Sequence, residues 1–161
     1  MVAEPAGVGS LGLGAQVMNP KAFQQQIDDQ QLVDAIVEAE KGTSGEIRVF
    51  IRRSACLDPL AAAHAELDRQ GMKRTPLRNA VLIYLVPSTR QFAVAADEGI
   101  HLRCGEAFWK SVAEEMANLL REGHYTEGVL AGIRRAGQEL GRHFPKFPGD
   151  RDDLPNTVIR D

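Results

Sequence analysis

Residues 75–100 constrain the fold of this chain more than any other segment. Residues 80–86 form an unbroken apolar run, and a second apolar run follows at residues 92–96. Residues 87–90, Pro-Ser-Thr-Arg, separate the two runs and are typical of a turn. A continuous apolar run of this length predicts a strand buried on both faces. The short connection predicts that the second run pairs with it as an antiparallel hairpin.

A strand and a helix upstream extend this hairpin into a mixed sheet. Residues 46–53 alternate between apolar and polar side chains, which indicates a strand. Asp58 followed by Pro59 is a strong helix start, and the apolar spacing then continues to about Gly71. Strand, helix and strand at this spacing predict a βαβ crossover and therefore two parallel strands.

Three further helices are predicted around this sheet. Residues 28–41 have a capping aspartate and helical apolar spacing, and two long amphipathic segments follow the hairpin and end at Gly123 and Pro145. The expected fold class is α/β, an α/β/α sandwich on a small mixed sheet with helices on both faces. Residues 22–145 are predicted as a single domain, residues 1–21 as a flexible Gly/Ala-rich leader, and residues 146–161 as a polar tail in which residues 157–159 could add an edge strand.

Composition restricts the partners. The chain has 161 residues, 43% of them hydrophobic, and a net charge of −3, which disfavours nucleic acid as the main partner. No apolar stretch approaches the roughly 20 residues of a membrane helix, so no membrane insertion is expected. Two cysteines make a disulfide framework improbable and indicate a reducing, cytoplasmic location.

Polar residues at the ends of the three central strands form the best candidate site. In a sheet with two parallel strands and one antiparallel strand, Glu46, Arg78-Asn79 and Asp97-Glu98 return to one edge. Glu46, Asp97 and Glu98 are hard oxygen ligands suited to Ca²⁺ or Mg²⁺. Arg78 with Asn79 could hold a phosphate or pair with a carboxylate. In the alternative interpretation, Arg78 pairs with Asp97 or Glu46 and has a purely structural role, which is to hold the hairpin against its neighbour.

No other catalytic motif is evident. The four histidines show no metal-ligand spacing, and the chain has no Gly-x-Ser-x-Gly elbow, Walker loop or Cys-x-x-Cys pair. Each cysteine is interpreted as a small buried hydrophobe rather than as a nucleophile.

Several segments together resemble the TPM domain family, in its short bacterial form. They are residues 43–49 (TSGEIRV), 78–84 (RNAVLIY), 97–100 (DEGI), the Phe-Trp pair at 108–109 and the ending at 131–145. The resemblance implies a compact α/β/α sandwich, divalent-metal binding and, in some members, acid phosphatase activity. Members with membrane anchors act in photosystem repair or as auxiliary subunits. Ala80 stands where many relatives have glycine. Ala96 stands before Asp97 where short relatives often have glycine, which reduces the backbone freedom of the acidic segment.

Two functions follow as hypotheses. The first is a non-enzymatic, divalent-metal-binding interaction or accessory module, with Ca²⁺ or Mg²⁺ near Asp97 and another protein as a further partner. The alternative is a metal-assisted acid phosphatase that holds phosphate on Arg78 and uses a metal-bound water as the nucleophile. The sequence favours the module, because phosphoryl transfer needs a nucleophile or a positioned base and neither is evident.

Overall fold

The computed structural model describes residues 7–9, 18–147 and 157–161. This part of the chain forms one sheet with five helices around it. The strands are β1 (Gly7–Gly9), β2 (Glu46–Ile51), β3 (Ala80–Val86), β4 (Gln91–Ala96) and β5 (Val158–Arg160). The helices are α1 (Pro20–Gln26), α2 (Asp29–Glu40), α3 (Pro59–Arg69), α4 (Glu98–Arg121) and α5 (Tyr125–His143). Single 3₁₀ turns lie at Met72–Arg74 and Pro87–Thr89.

The sheet has the strand order β1-β4-β3-β2-β5, with β3 at its centre. β3 runs parallel to β2, with Glu46 opposite Ala80, and antiparallel to β4, with Val81 opposite Ala96. The predicted crossover and hairpin are therefore both confirmed. β5 runs parallel to β2, and β1 runs antiparallel to β4, so each end of the sheet is a three-residue strand.

The two faces of the sheet are covered unequally. One face packs on α2, α4 and α5 through apolar side chains of three strands: Ile47, Val49, Ile51, Val81, Ile83, Leu85, Phe92, Val94 and Ala96. The other face packs mainly on α3 through Phe50, Ala80, Leu82, Tyr84, Val86, Ala93 and Ala95. Every residue of β3 is buried, as its unbroken apolar run predicts. The predicted α/β/α sandwich is confirmed.

Aspartate side chains define the starts of three helices. Asp28 and Asp58 accept hydrogen bonds from the backbone N–H groups of Gln31 and Ala61, at 3.2 and 3.1 Å. Asp97 caps α4 and accepts from the N–H of Glu98 at 2.9 Å. The acidic segment after the hairpin is therefore the start of α4.

Two glycines of α5 allow close helix packing. A Cβ atom at Gly137 would lie 2.6 Å from the Cβ of Ala39 in α2, and one at Gly132 would lie 2.6 Å from the sulfur of Met116 in α4. Both distances are below ordinary contact, so a side chain at Gly137 would collide with α2, and one at Gly132 would require the Met116 side chain to move. These glycines therefore let α5 pack closely on α2 and α4 of the same chain.

The structure changes the interpretation of the two ends. Gly7–Gly9, predicted as part of a flexible leader, pair with β4, and α1 begins at Pro20. A ladder of backbone hydrogen bonds requires no side-chain pattern, so hydrophobic periodicity does not detect such an edge strand. In the predicted tail, Val158–Arg160 form β5, one residue later than expected. Residues 1–6, 10–17 and 148–156 lie outside the described residues, and the domain boundaries stay predictions.

Candidate functional site at the amino-terminal edge of the sheet

The predicted site residues Glu46, Arg78 and Asp97 lie at the same end of the adjacent strands β2, β3 and β4. Glu46 begins β2 opposite Ala80 of β3, and the backbone N–H of Asp97 donates to the carbonyl of Ala80 at 2.8 Å. Glu46 and Asp97 are thus two strand spacings apart, about 10 Å between their Cα atoms. We call this end of the sheet, with the loops and helix ends around it, the amino-terminal edge.

Arg78 and Asp97 form a bidentate ion pair at this edge. The Nε of Arg78 donates to Oδ2 of Asp97 at 2.7 Å, and Nη2 donates to Oδ1 at 2.8 Å. Oδ1 also accepts from the N–H of Glu98. The Asp97 side chain is only 2% exposed, whereas that of Arg78 is 39% exposed. Both oxygens of this buried carboxylate are therefore engaged within the protein.

The backbone of Arg78 is left-handed, with φ of 52°, which is unusual for a residue with a side chain. Two hydrogen bonds hold it there: its N–H donates to the carbonyl of Thr75 at 3.1 Å, and its carbonyl accepts from the N–H of Gly99 at 2.8 Å. The hydrogen bonds to Asp97 raise the pKa of Arg78 further above its already high value. The loop, the first turn of α4 and the ion pair therefore support one another.

Asn79 and Glu98 do not join this pair in the way the sequence predicts. Asn79 is buried, and its side-chain nitrogen donates to the hydroxyl of Ser44 at 3.2 Å. It therefore fastens the loop before β2 to the start of β3. The carboxylate of Glu98 lies 3.8 Å from Nη1 of Arg78 and is 66% exposed, so it adds little beyond a solvent-screened contact.

A second buried polar group lies on the α3 face and was missed by the sequence analysis. Arg48 is buried two residues after Glu46 and donates to the side-chain oxygen of Gln70, whose amide nitrogen donates to Glu66 at 2.8 Å. Burial lowers the pKa of Arg48, and the charges of Glu46 and Glu40 oppose that shift. The alternation of β2 places Glu46 and Arg48 on one face, but the contact of Arg48 with Gln70 depends on how α3 packs on that face.

The comparison with known proteins agrees with this architecture. The TPM domain family matches residues 17–139. This chain belongs to the TPM domain family. Its fold is similar to the NMR structure of the BA42 protein from the psychrophilic bacterium Bizionia argentinensis, with a TM-score of 0.74 and 31% sequence identity. That match covers 89% of this chain and 95% of the BA42 chain. No curated protein matches the chain.

The predicted metal ligands of this TPM domain do not converge on one point in the observed arrangement. In the part of the chain that the structure describes, no group of three or more His, Cys, Asp or Glu side chains could hold a metal ion. Asp97 already binds Arg78 through both oxygens, and Glu46 lies about two strands away. Ca²⁺ takes six to eight oxygen ligands, and Mg²⁺ takes six in a strict geometry. A cation at Glu46, Asp97 and Glu98 stays a prediction.

The cysteine closest to this edge is poorly suited to nucleophilic catalysis. Cys104 lies in the second turn of α4, and its thiol contacts the carbonyl of Ile100 at 3.1 Å. Burial, with a contribution from the charge of Glu139, raises the pKa of Cys104 to about 11. The thiolate is the reactive form, so this TPM domain holds Cys104 in its unreactive state at neutral pH.

Proposed function

We propose that this TPM domain works as a non-enzymatic binding module, an accessory domain rather than a hydrolase. The observation that supports it is the bidentate pair of Arg78 and Asp97. A metal-assisted phosphatase would need the Asp97 carboxylate for the cation and the Arg78 guanidinium for the phosphate. In the folded protein each of these groups is the partner of the other, so this mechanism would first have to break the pair.

The capping role of Asp97 strengthens this argument. Its Oδ1 accepts from the first N–H of α4, and its backbone N–H donates to Ala80. Moving this carboxylate to serve a ligand would expose the start of α4 and unpair Arg78 at the same time. A module that binds through its surface needs no such rearrangement.

A phosphatase assay tests this proposal. Purified protein is incubated with p-nitrophenyl phosphate at acidic pH, with Mg²⁺, with Ca²⁺ and with a chelator. We expect no turnover above the level of the Asp97→Ala variant, because the groups that would act are paired. Metal-dependent turnover that Asp97→Ala and Arg78→Ala both abolish would contradict the proposal and favour the acid phosphatase.

Ca²⁺ or Mg²⁺ remains our proposed ligand of the module, with one condition. A cation at Asp97 must compete with Arg78, because both need the same two oxygens. Affinity at this site is therefore expected to be low in the wild-type protein and higher once Arg78 is removed. A cytoplasmic location and a further protein partner stay predictions.

A further inference from the structure

Large apolar side chains are exposed at the amino-terminal edge. In the described part of the chain, five large hydrophobic residues are exposed: Val37, Leu57, Leu77, Leu102 and Phe147. Leu77, Leu102 and Phe147, which we call the edge triad, are 47%, 77% and 53% exposed, and all three belong to segments at this edge. Isolated exposed leucines need no explanation, but several at one end of a domain indicate a contact surface.

The three segments that carry the edge triad meet at the first turns of α4. The loop that contains Leu77 is fastened there by the hydrogen bond from the N–H of Gly99 to the carbonyl of Arg78, at 2.8 Å. Leu102 lies on α4 itself, one turn after Gly99. The guanidinium of the next residue, Arg103, lies 5.4 Å from the ring centre of Phe144, three residues before Phe147. The segments that carry Leu77 and Phe147 therefore both contact the first turns of α4, on which Leu102 lies.

The same edge is rich in positive charge, although the whole chain carries a net charge of −3. Residues 41–45, 70–79, 97–103 and 142–147 form its loops and helix ends. They contain seven lysines and arginines and two carboxylates: Lys41, Lys73, Arg74, Arg78, Arg103, Arg142, Lys146, Asp97 and Glu98. Arg78 pairs with Asp97, Lys41 pairs with Glu38 of α2, and Arg142 pairs with Glu139 of α5. The positive charge that this edge presents outward therefore comes mainly from Lys73, Arg74 and Arg103, beside the exposed carboxylate of Glu98. Glu40 and Glu46 border the edge but are buried.

We propose that the amino-terminal edge docks on an anionic membrane surface. Lys73, Arg74 and Arg103 face the acidic headgroups, and the edge triad reaches the boundary between headgroups and acyl chains. Such peripheral contact requires no spanning segment, and no helix among the described residues is long and apolar enough to cross a membrane. This inference rests on the proposed role as a binding module, but vesicle binding and phosphatase activity are measured separately, so either can fail alone.

The combination of apolar and basic side chains favours lipid over other anionic partners. A nucleic-acid backbone attracts lysine and arginine but offers nothing to aliphatic side chains at a phosphate surface. An acidic peptide would dock in a groove. The groove between α2 and α5 reaches this edge at Gly42 but is lined by Asp34 and Glu38, and a second groove lies beside α1 at the opposite end of the sheet. Protruding leucines beside arginines suit a flat, deformable, anionic surface.

Co-sedimentation with vesicles tests the inference. The protein is mixed with vesicles of phosphatidylcholine alone or with vesicles in which phosphatidylglycerol makes up about a third of the lipid. We expect binding to the anionic vesicles and much weaker binding to the neutral ones. The double variants L77Q/L102Q and K73E/R74E should each weaken binding by about tenfold or more, because each removes two interfacial contacts.

Matched controls lie at the opposite end of the sheet. Leu57 is fully exposed in the loop after β2, and Arg53 is exposed beside it. L57Q and R53E each make one substitution of the same kind as those in the double variants and should leave vesicle binding unchanged. Thermal melts confirm that all variants fold. Equal binding to both vesicle types, equal losses in L57Q, or stronger binding to single-stranded DNA that L77Q/L102Q leaves unchanged would each overturn the inference.

Discussion

Replacing Asp97 with alanine is expected to lower the free energy of unfolding by about 2–3 kcal/mol. The loss of the helix cap on α4 contributes about 1 kcal/mol. The loss of the charge-assisted hydrogen bonds from Arg78 contributes the rest, less than for a fully buried pair because Arg78 is 39% exposed and can regain water. Urea unfolding followed by circular dichroism measures this difference directly.

Two variants separate the contributions at Asp97. Asp97→Asn keeps an oxygen that can accept from the N–H of Glu98 but loses the charge, so we expect about half of the destabilisation. Glu98→Ala removes a carboxylate that is 66% exposed and should change the free energy of unfolding by less than about 0.5 kcal/mol. If Asp97→Ala were no more destabilising than Glu98→Ala, the ion pair would have no structural role.

Replacing Gly99 with alanine is expected to destabilise the protein by roughly 2–3 kcal/mol. A Cβ atom at Gly99 would collide with the carbonyl oxygen of Leu77 and would lie 2.6 Å from that of Arg78. Both obstacles are backbone atoms, so no side chain can move aside to make room. The first turn of α4 and the loop before β3 must separate, which also breaks the hydrogen bond from Gly99 to Arg78. Urea unfolding measures the loss.

Gly42→Ala is the matched control for this change. A Cβ atom at Gly42 would meet nothing within 4 Å, and its backbone is not left-handed. We therefore expect its free energy of unfolding to stay within about 0.5 kcal/mol of the wild type. A Gly99→Ala protein as stable as Gly42→Ala would mean that α4 does not dock on the 75–79 loop as described.

The central sheet was predictable because its signals are local. The apolar run of β3 has the observed bounds, and Asp58 with Pro59 starts α3 as expected, since capping depends on neighbouring residues. β1 was not predictable, because a glycine-rich edge strand leaves no side-chain pattern. The meeting of Glu46, Arg78 and Asp97 at one edge follows from strand direction, which the sequence also indicated.

Local sequence signals could not predict whether the candidate site is open to a ligand or closed by an internal ion pair. The sequence left open whether Arg78 binds a ligand or pairs with Asp97, because both outcomes need the same two residues. The choice depends on the left-handed backbone of Arg78 and on the docking of α4 through Gly99, which join segments about twenty residues apart. The hydrogen bond between Arg48 and Gln70 could not be predicted for a similar reason, because α3 brings the two residues together only in the folded chain.

Competition between Ca²⁺ and Arg78 is the most direct measure of whether Asp97 is committed to its ion pair. Thermal unfolding is followed for the wild type, Arg78→Ala and the double variant R78A/D97N, each with millimolar Ca²⁺ and with a chelator. We predict that Arg78→Ala binds Ca²⁺ about tenfold more tightly than the wild type, equivalent to about 1.4 kcal/mol of removed competition, and that R78A/D97N loses this response. Equal Ca²⁺ responses in the wild type and Arg78→Ala, or a response that persists in R78A/D97N, would contradict this account of the site.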